Sequence, residues 1–208
     1  MWNPPREVIE RANVTRLARA HGLPSYDALL ERSRDDIEWF WDAVVTDLEI
    51  DFSAPYERVL DTSDGIQWAT WFVGGRVNIA QNCVHRHSGR AVVWEGEDGA
   101  TRTLTYEELS ADVRRVAAGL RSLGVAKGDA VGLFLPMIPE AVVALMACCH
   151  IGAIVVPIFS GFAAPAVAVR LEDAKAKVLI CADGFYRRGA VVAMSDVARD
   201  AASQAGVE

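Results

Sequence analysis

From Arg90 onward the apolar and polar positions fall into two clear periods. Ala91-Val92-Val93-Trp94-Glu95 and Thr101-Arg102-Thr103-Leu104 flank Asp98-Gly99, the turn chemistry of a β-hairpin. Thr105 and Glu108 have the spacing of a capping box, in which the hydroxyl satisfies a first-turn N–H and the carboxylate reaches back to the cap. Leu109, Val113, Val116, Ala117 and Leu120 then recur at helical spacing until Gly124, a left-handed stop. Lys127-Gly128-Asp129 turns the chain into Ala130–Leu135, whose unbroken apolar run predicts a strand buried on both faces. Pro139-Glu140 opens a helix at a position where the missing N–H is harmless. Strand 153–158, helix 164–174 and strand 177–181 follow. This alternation predicts an α/β fold with a parallel sheet layered between helices. The tail from Val191 to Gly206 reads as a short helix without a partner in this chain.

The first fifty residues read as helical. Leu23-Pro24-Ser25 separates short polar helices, Ser33 stands as the cap of a helix over Asp36–Val45, and Ile37, Phe40, Trp41 and Val44 form one apolar stripe. Between Leu48 and Asn82 the text is irregular and rich in Trp, Gly, Pro and Asp, a meander pinned by large aromatic rings. No spacer divides the sequence, which predicts one compact unit with an extension: residues 1–82 helical and irregular, 83–190 α/β, and 191–208 a tail.

Composition narrows the function classes. The chain has 208 residues, 51% hydrophobic and 24% charged, enough for a real core. A net charge of -7 lacks the basic stripe that nucleic acid requires, so no nucleic-acid partner is expected. Met1-Trp2-Asn3-Pro4-Pro5-Arg6 has no signal-peptide core, and the apolar run Ala141–Ile158 is broken by Cys148-Cys149-His150 and Gly152. No membrane partner and a cytoplasmic location are expected. The four cysteines, Cys83, Cys148, Cys149 and Cys181, read as reduced core residues. Cys83, His85 and His87 would share one face of a strand, but a fourth ligand is not apparent, so no metal is expected.

In an open parallel sheet ligands collect at the carboxyl ends of the strands, so the loops after Leu135, Ile158 and Cys181 are the places to search. Phe159-Ser160-Gly161-Phe162 offers an aromatic face, a hydroxyl and a residue without a Cβ. Asp183-Gly184-Phe185-Tyr186-Arg187-Arg188-Gly189 carries two adjacent guanidinium groups, which bind phosphate oxygens as forks. A phosphorylated nucleotide suits this pair of loops. A core phenylalanine and a solvated basic turn would write the same residues, and the residues alone leave both readings open.

Longer stretches add a resemblance. Trp71-Phe72-Val73-Gly74-Gly75-Arg76-Val77-Asn78 with Asn82-Cys83, Leu104-Thr105-Tyr106-Glu107-Glu108-Leu109, Leu123-Gly124-Val125-Ala126-Lys127-Gly128-Asp129, and Gly152-Ala153 with Pro157 resemble acetyl-CoA synthetases and their adenylate-forming relatives, in order and approximate spacing. The resemblance implies an α/β, parallel-sheet N-terminal subdomain of an adenylate-forming enzyme, preceded by a helical extension. It implies an acid–thiol ligase that joins a carboxylate to ATP as an acyl-adenylate and then passes the acyl group to coenzyme A (CoA). ATP with Mg and CoA are then substrates, and acetate or another short acid is the expected acyl donor.

By the same resemblance, Phe159, Ser160, Gly161 and Arg187 match the family's CoA-nucleotide positions, Val192 an apolar contact beyond them, and Arg188 is a neighbour. Ser160 stands where acetyl-CoA synthetases can carry glycine. The family's Ser/Thr/Gly-rich loop ending in Pro-Lys-Gly, which holds the ATP phosphates, has no counterpart here, and Thr62-Ser63-Asp64-Gly65 is no substitute. The expectation is an N-terminal piece, truncated or proteolytic, with no catalytic residue of its own and no activity alone, which dimerises through surface left uncovered. The alternative is a complete interaction or regulatory module on a synthetase-like sheet.

Overall fold

A computed structural model describes residues 3–207; Met1 and Trp2, part of the stretch expected to lack a signal-peptide core, and Glu208 lie outside them. The chain divides into two units, Met1–Val77 and Asn78–Glu208.

The first unit opens with four helices, α1 Arg6–Arg11, α2 Asn13–Ala20, α3 Tyr26–Asp35 and α4 Ile37–Asp47. Leu17, Ala18, Leu29 and Ala43 form their core, with Trp39, Phe40 and Val44 packed against it. Ile37 and Trp41 stay exposed, so only half of the expected stripe turns inward. The cap of α4 is also different: Asp36 accepts the Trp39 N–H at 3.0 Å, while Ser33 sits inside α3 and donates to the Leu30 carbonyl. Aspartate and serine cap equally well, and the residue just before the helix wins. Four short strands follow, β1 Phe52–Ala54, β2 Arg58–Asp61, β3 Thr70–Val73 and β4 Arg76–Val77. They pair antiparallel as β1–β4 and β2–β3, and the rings of Phe52, Tyr56 and Phe72 meet within 5.7 Å of one another.

The second unit begins with a π-helical turn at Gln81–His85 and the hairpin β5 Arg90–Glu95 with β6 Thr101–Thr105. Helix α5 Tyr106–Ser122 starts on the expected capping box: Thr105 Oγ1 accepts the Glu108 N–H and Glu108 accepts the Thr105 N–H. Next come β7 Ala130–Phe134, α6 Pro139–Ile151, β8 Ile154–Pro157, α7 Ala164–Ala174 and β9 Val178–Cys181. The three strands form one parallel sheet in the order β8-β7-β9, and β7 is buried along its whole length. The connection to β8 leaves β7 in one direction and the connection to β9 passes back over it, so right-handed crossovers place α6 and α7 on opposite faces. Side chains of β7 alternate accordingly: Val131 and Leu133 join α5 and α6, whereas Ala130 and Phe134 join α7.

The end of the chain departs from the sequence reading. Residues 184–193 form a hairpin, β10 Gly184–Arg187 and β11 Ala190–Ala193, and only Ser195–Ala205 is helical, as α8. Arg188 and Gly189 make its two-residue turn with φ of 54° and 77°, the backbone a tight hairpin needs. Nor is α8 without a partner: Ala198 and Ala201 bury against the α7 side of the sheet beside Met194.

Two further expectations are corrected. The 81–85 segment is helical rather than extended, so Cys83, His85 and His87 share no strand face. Instead His85 bonds Ser110 at 2.8 Å and His150 at 3.0 Å, and His87 bonds the Asn82 carbonyl. Among the described residues no group of three or more His, Cys, Asp or Glu is placed to hold a metal ion. Cys148 is buried as expected, but Cys83 and Cys181 are exposed. No helix among the described residues is long and apolar enough to cross a membrane.

Candidate functional site

The carboxyl ends of the three parallel strands face one rim of the second unit, and a cleft of about 380 Å³ opens there. That volume falls within the ~300–1,000 Å³ of small-molecule sites. Four separate pieces of chain build its walls. The loop after β7 contributes Pro136, Met137 and Ile138; the loop after β8 contributes Ser160; and β10 contributes Gly184, Phe185 and Tyr186. The β5–β6 hairpin closes the remaining side with Trp94, Glu95, Gly96, Glu97 and Asp98.

Local chemistry explains why these pieces meet. The Trp94 indole N–H donates to the Met137 carbonyl at 2.6 Å, tying the end of β5 to the loop after β7. A Cβ on Gly96 would lie 2.7 Å from the Trp94 ring and 2.6 Å from Asp98 Oδ1, so a glycine is what lets the indole fold over its own strand end. A Cβ on Gly184 would lie 2.7 Å from the Val192 carbonyl, which fixes the close approach of β10 and β11. Asp183 secures the base of that hairpin, its carbonyl accepting the Met194 N–H at 2.8 Å. The Glu97 carboxylate reaches across to the hairpin's far end and accepts the Arg188 backbone N–H at 2.6 Å.

Of the residues singled out in the sequence, Ser160 lines the cleft, and Phe159 is its immediate neighbour. Phe159 is 60% exposed, and its ring meets Phe162 edge-on at 5.5 Å. The space that a Cβ on Gly161 would occupy is filled by the Phe159 ring, 2.6 Å away, so the glycine here makes room for that ring. Arg187 follows the cleft residue Tyr186 and ends β10, Arg188 occupies the turn, and Val192 pairs with Phe185 across the hairpin. Trp94, Glu97 and Met137 have no site role in the sequence reading, and Phe185 and Tyr186 enter it only as part of the loop that carries the two arginines. The loop after β7 was a place to search, but nothing in the text of residues 90–105 shows that a hairpin turn comes to rest on the same rim.

Apolar and aromatic surface dominates the cleft, with a hydroxyl from Ser160 and carboxylates from Glu95, Glu97 and Asp98 at its edge. Cys181 ends the neighbouring strand, and desolvation followed by the Asp183 carboxylate pushes its thiol above the ordinary range. A thiol held protonated in this way is a poor nucleophile. The cleft thus offers an apolar and aromatic surface on which a flat group can rest, and the exposed Arg187 follows its wall residue Tyr186 in the chain.

A family model described as AMP-binding enzyme matches residues 79–207, more than half of the chain. The chain belongs to the AMP-binding enzyme family. A second model, described as acetyl-coenzyme A synthetase N-terminus, matches residues 26–83. An acetyl-coenzyme A synthetase of Thiobacillus denitrificans is 42% identical over 204 residues, which is 95% of this chain and 30% of that protein. One from Mycobacterium tuberculosis is 43% identical over 195 residues, 90% of this chain and 28% of that protein. Among solved structures, acetoacetyl-CoA synthetase from Streptomyces lividans aligns with a TM-score of 0.90 at 32% identity, over all of this chain and 34% of that one. This AMP-binding family member thus spans about a third or less of the relatives it matches.

Proposed function

We propose that this chain serves an AMP-forming acyl-CoA synthetase and supplies part of the surface that holds the nucleotide end of CoA. The observation that carries the reading is convergence: the loop after β8, where Phe159, Ser160 and Gly161 stand, and the hairpin leading through Tyr186 to Arg187 contribute to one cleft at the carboxyl rim of the sheet. Phe159 and Tyr186 offer exposed ring faces to a base. Arg187 and Arg188 offer forks to phosphate oxygens, and Val192 is the cross-strand partner of the cleft residue Phe185. In the whole reaction a carboxylate attacks ATP, held with Mg, to give an acyl-adenylate and pyrophosphate, and the CoA thiol then displaces AMP. The chain's part is binding and orientation, and by itself it is inactive. Relatives named for acetyl and acetoacetyl substrates support acetate or another short acid as the acyl donor. A cytoplasmic setting and self-association through exposed apolar side chains such as Met137 complete the reading.

Calorimetric titration of CoA into the 208-residue chain tests it. Binding is expected to be weak, and Arg187→Ala should reduce it by about ten- to a hundredfold, the worth of one charge-assisted contact. No heat from CoA, together with capture of a protein partner, would favour the interaction-module alternative and sink the proposal.

A further inference from the structure

We infer that Glu97 is a positioning residue for the arginine pair: carried on the turn of one hairpin, its carboxylate fixes the turn of the other hairpin on which Arg187 and Arg188 stand. This rests on the CoA reading above and names the group that holds that site in shape.

The β10–β11 ladder ends at the pair Arg187 and Ala190, so the backbone N–H groups of the two turn residues lie beyond its last rung. Arg188 moreover sits at a φ of 54°, a left-handed conformation that a side chain with a Cβ adopts at a cost. A loop in that state keeps one geometry only where its surroundings hold it. Glu97 does this from 91 residues away, its Oε1 accepting the Arg188 N–H at 2.6 Å, a charge-assisted bond.

The arm that carries Glu97 is itself firm. Gly96 N–H donates to the Ala100 carbonyl at 2.7 Å, Gly99 N–H to the Gly96 carbonyl at 3.0 Å, and Ala100 N–H to Asp98 Oδ1 at 3.1 Å. Trp94, one residue inside the strand end, is anchored to Met137. The choice of acceptor partner also matters. Glu97 binds the peptide N–H, and among the described residues neither guanidinium makes an ion pair, whereas Arg102, Arg115 and Arg199 of the same unit do. The carboxylate thus orients the turn while leaving both forks open to phosphate oxygens.

The experiment reads amide exchange at Arg188, CoA affinity and thermal midpoint in the 208-residue chain and its variants. In Glu97→Ala, exchange at Arg188 should quicken and CoA affinity fall, each about tenfold, with the midpoint held. Glu97→Gln keeps an accepting oxygen without the charge and should lose only about threefold on both readings, clearly less than Glu97→Ala. Glu97→Asp, whose shorter arm falls short of the turn, should behave as the alanine variant does and serves in its place should that one not fold. Unchanged CoA affinity in Glu97→Ala and Glu97→Asp, or an equal loss in Glu97→Gln, overturns the inference while the CoA reading stands. A wild-type chain that ignores CoA, with Arg188 exchange still answering to Glu97→Ala, brings down the CoA reading and reduces the tie to a plain structural bond.

Discussion

Gly132 occupies the middle of β7, where every residue is buried and the sequence pattern asks only for an apolar side chain. A Cβ there would lie 2.5 Å from Leu171 Cδ2 and 2.9 Å from Leu179 Cδ1. Both neighbours belong to the packing between the sheet and α7, and a fully packed layer has no room to move aside. Gly132→Ala should therefore destabilise the second unit by about 1–3 kcal/mol, the usual cost of overpacking, read as a lower denaturant midpoint at constant slope. An unchanged midpoint would mean that the α7 layer yields. Asn78 is a different case of a residue whose role the text conceals. It stands in the motif that carries the family resemblance, and the structure gives a physical reason: its Nδ2 donates to the carbonyls of Cys149 and His150 at the end of α6, while its Oδ1 accepts the Ala80 N–H. One side chain thus closes a helix end and starts the π-helical turn, from more than seventy positions away. Capping between consecutive residues is legible in sequence; this kind is not.

At the scale of elements, three pieces of the second unit meet at a pair of imidazoles. His85 from the π-helical turn bonds Ser110 of α5 and His150 of α6, and the rings cross at 84°. Burial first, then Arg114, depresses the His85 pKa below its ordinary value near 6.5, and burial, Arg121 and Arg114 do the same to His150. With both folded pKa values lowered, the unfolded chain binds more protons as pH falls through the ordinary range. The stabilisation is then complete above about pH 6.5 and is lost on acidification below it. Two protonated rings would also face N–H against N–H. The carboxylates with lowered pKa values, Asp47, Asp61 and Asp129, lose their contribution only further into acid. Stability should consequently rise between pH 5 and 7, and the rise should flatten in a His85→Gln/His150→Gln chain. Denaturant midpoints across that range check this, and a slope equal in both chains would rule the pair out. Elements from Arg90 to Cys181 were legible because their signals are local: the capping box at Thr105, the proline opening α6, the apolar run of β7. The β10–β11 hairpin was not, because Arg188-Gly189 carries only one of the two turn residues that announce such a bend. Val191–Ala193 of β11 therefore reads in the sequence as the start of a helix running from Val191 to Gly206.

For the whole molecule, the layout of the cores decides what can stand alone. Leu17, Ala18, Leu29 and Ala43 close a core inside the first unit, and both clusters flanking the parallel sheet draw only on residues of the second. The candidate cleft is likewise built entirely from residues 94–186. A chain of roughly 130 residues with helices on both faces of its sheet is large enough to fold by itself. Residues 78–208 alone should then melt in a single cooperative transition and give amide chemical shifts at Trp94, Ser160, Gly184 and Tyr186 like those in the full chain. CoA should perturb the same cleft residues in both. The reasoning is local at every step, since each bond that shapes the cleft, from Trp94 to Met137 and from Glu97 to Arg188, has both its ends in this unit. A broad, non-cooperative melt of the shorter chain would show that residues 1–77 contribute to holding the sheet together.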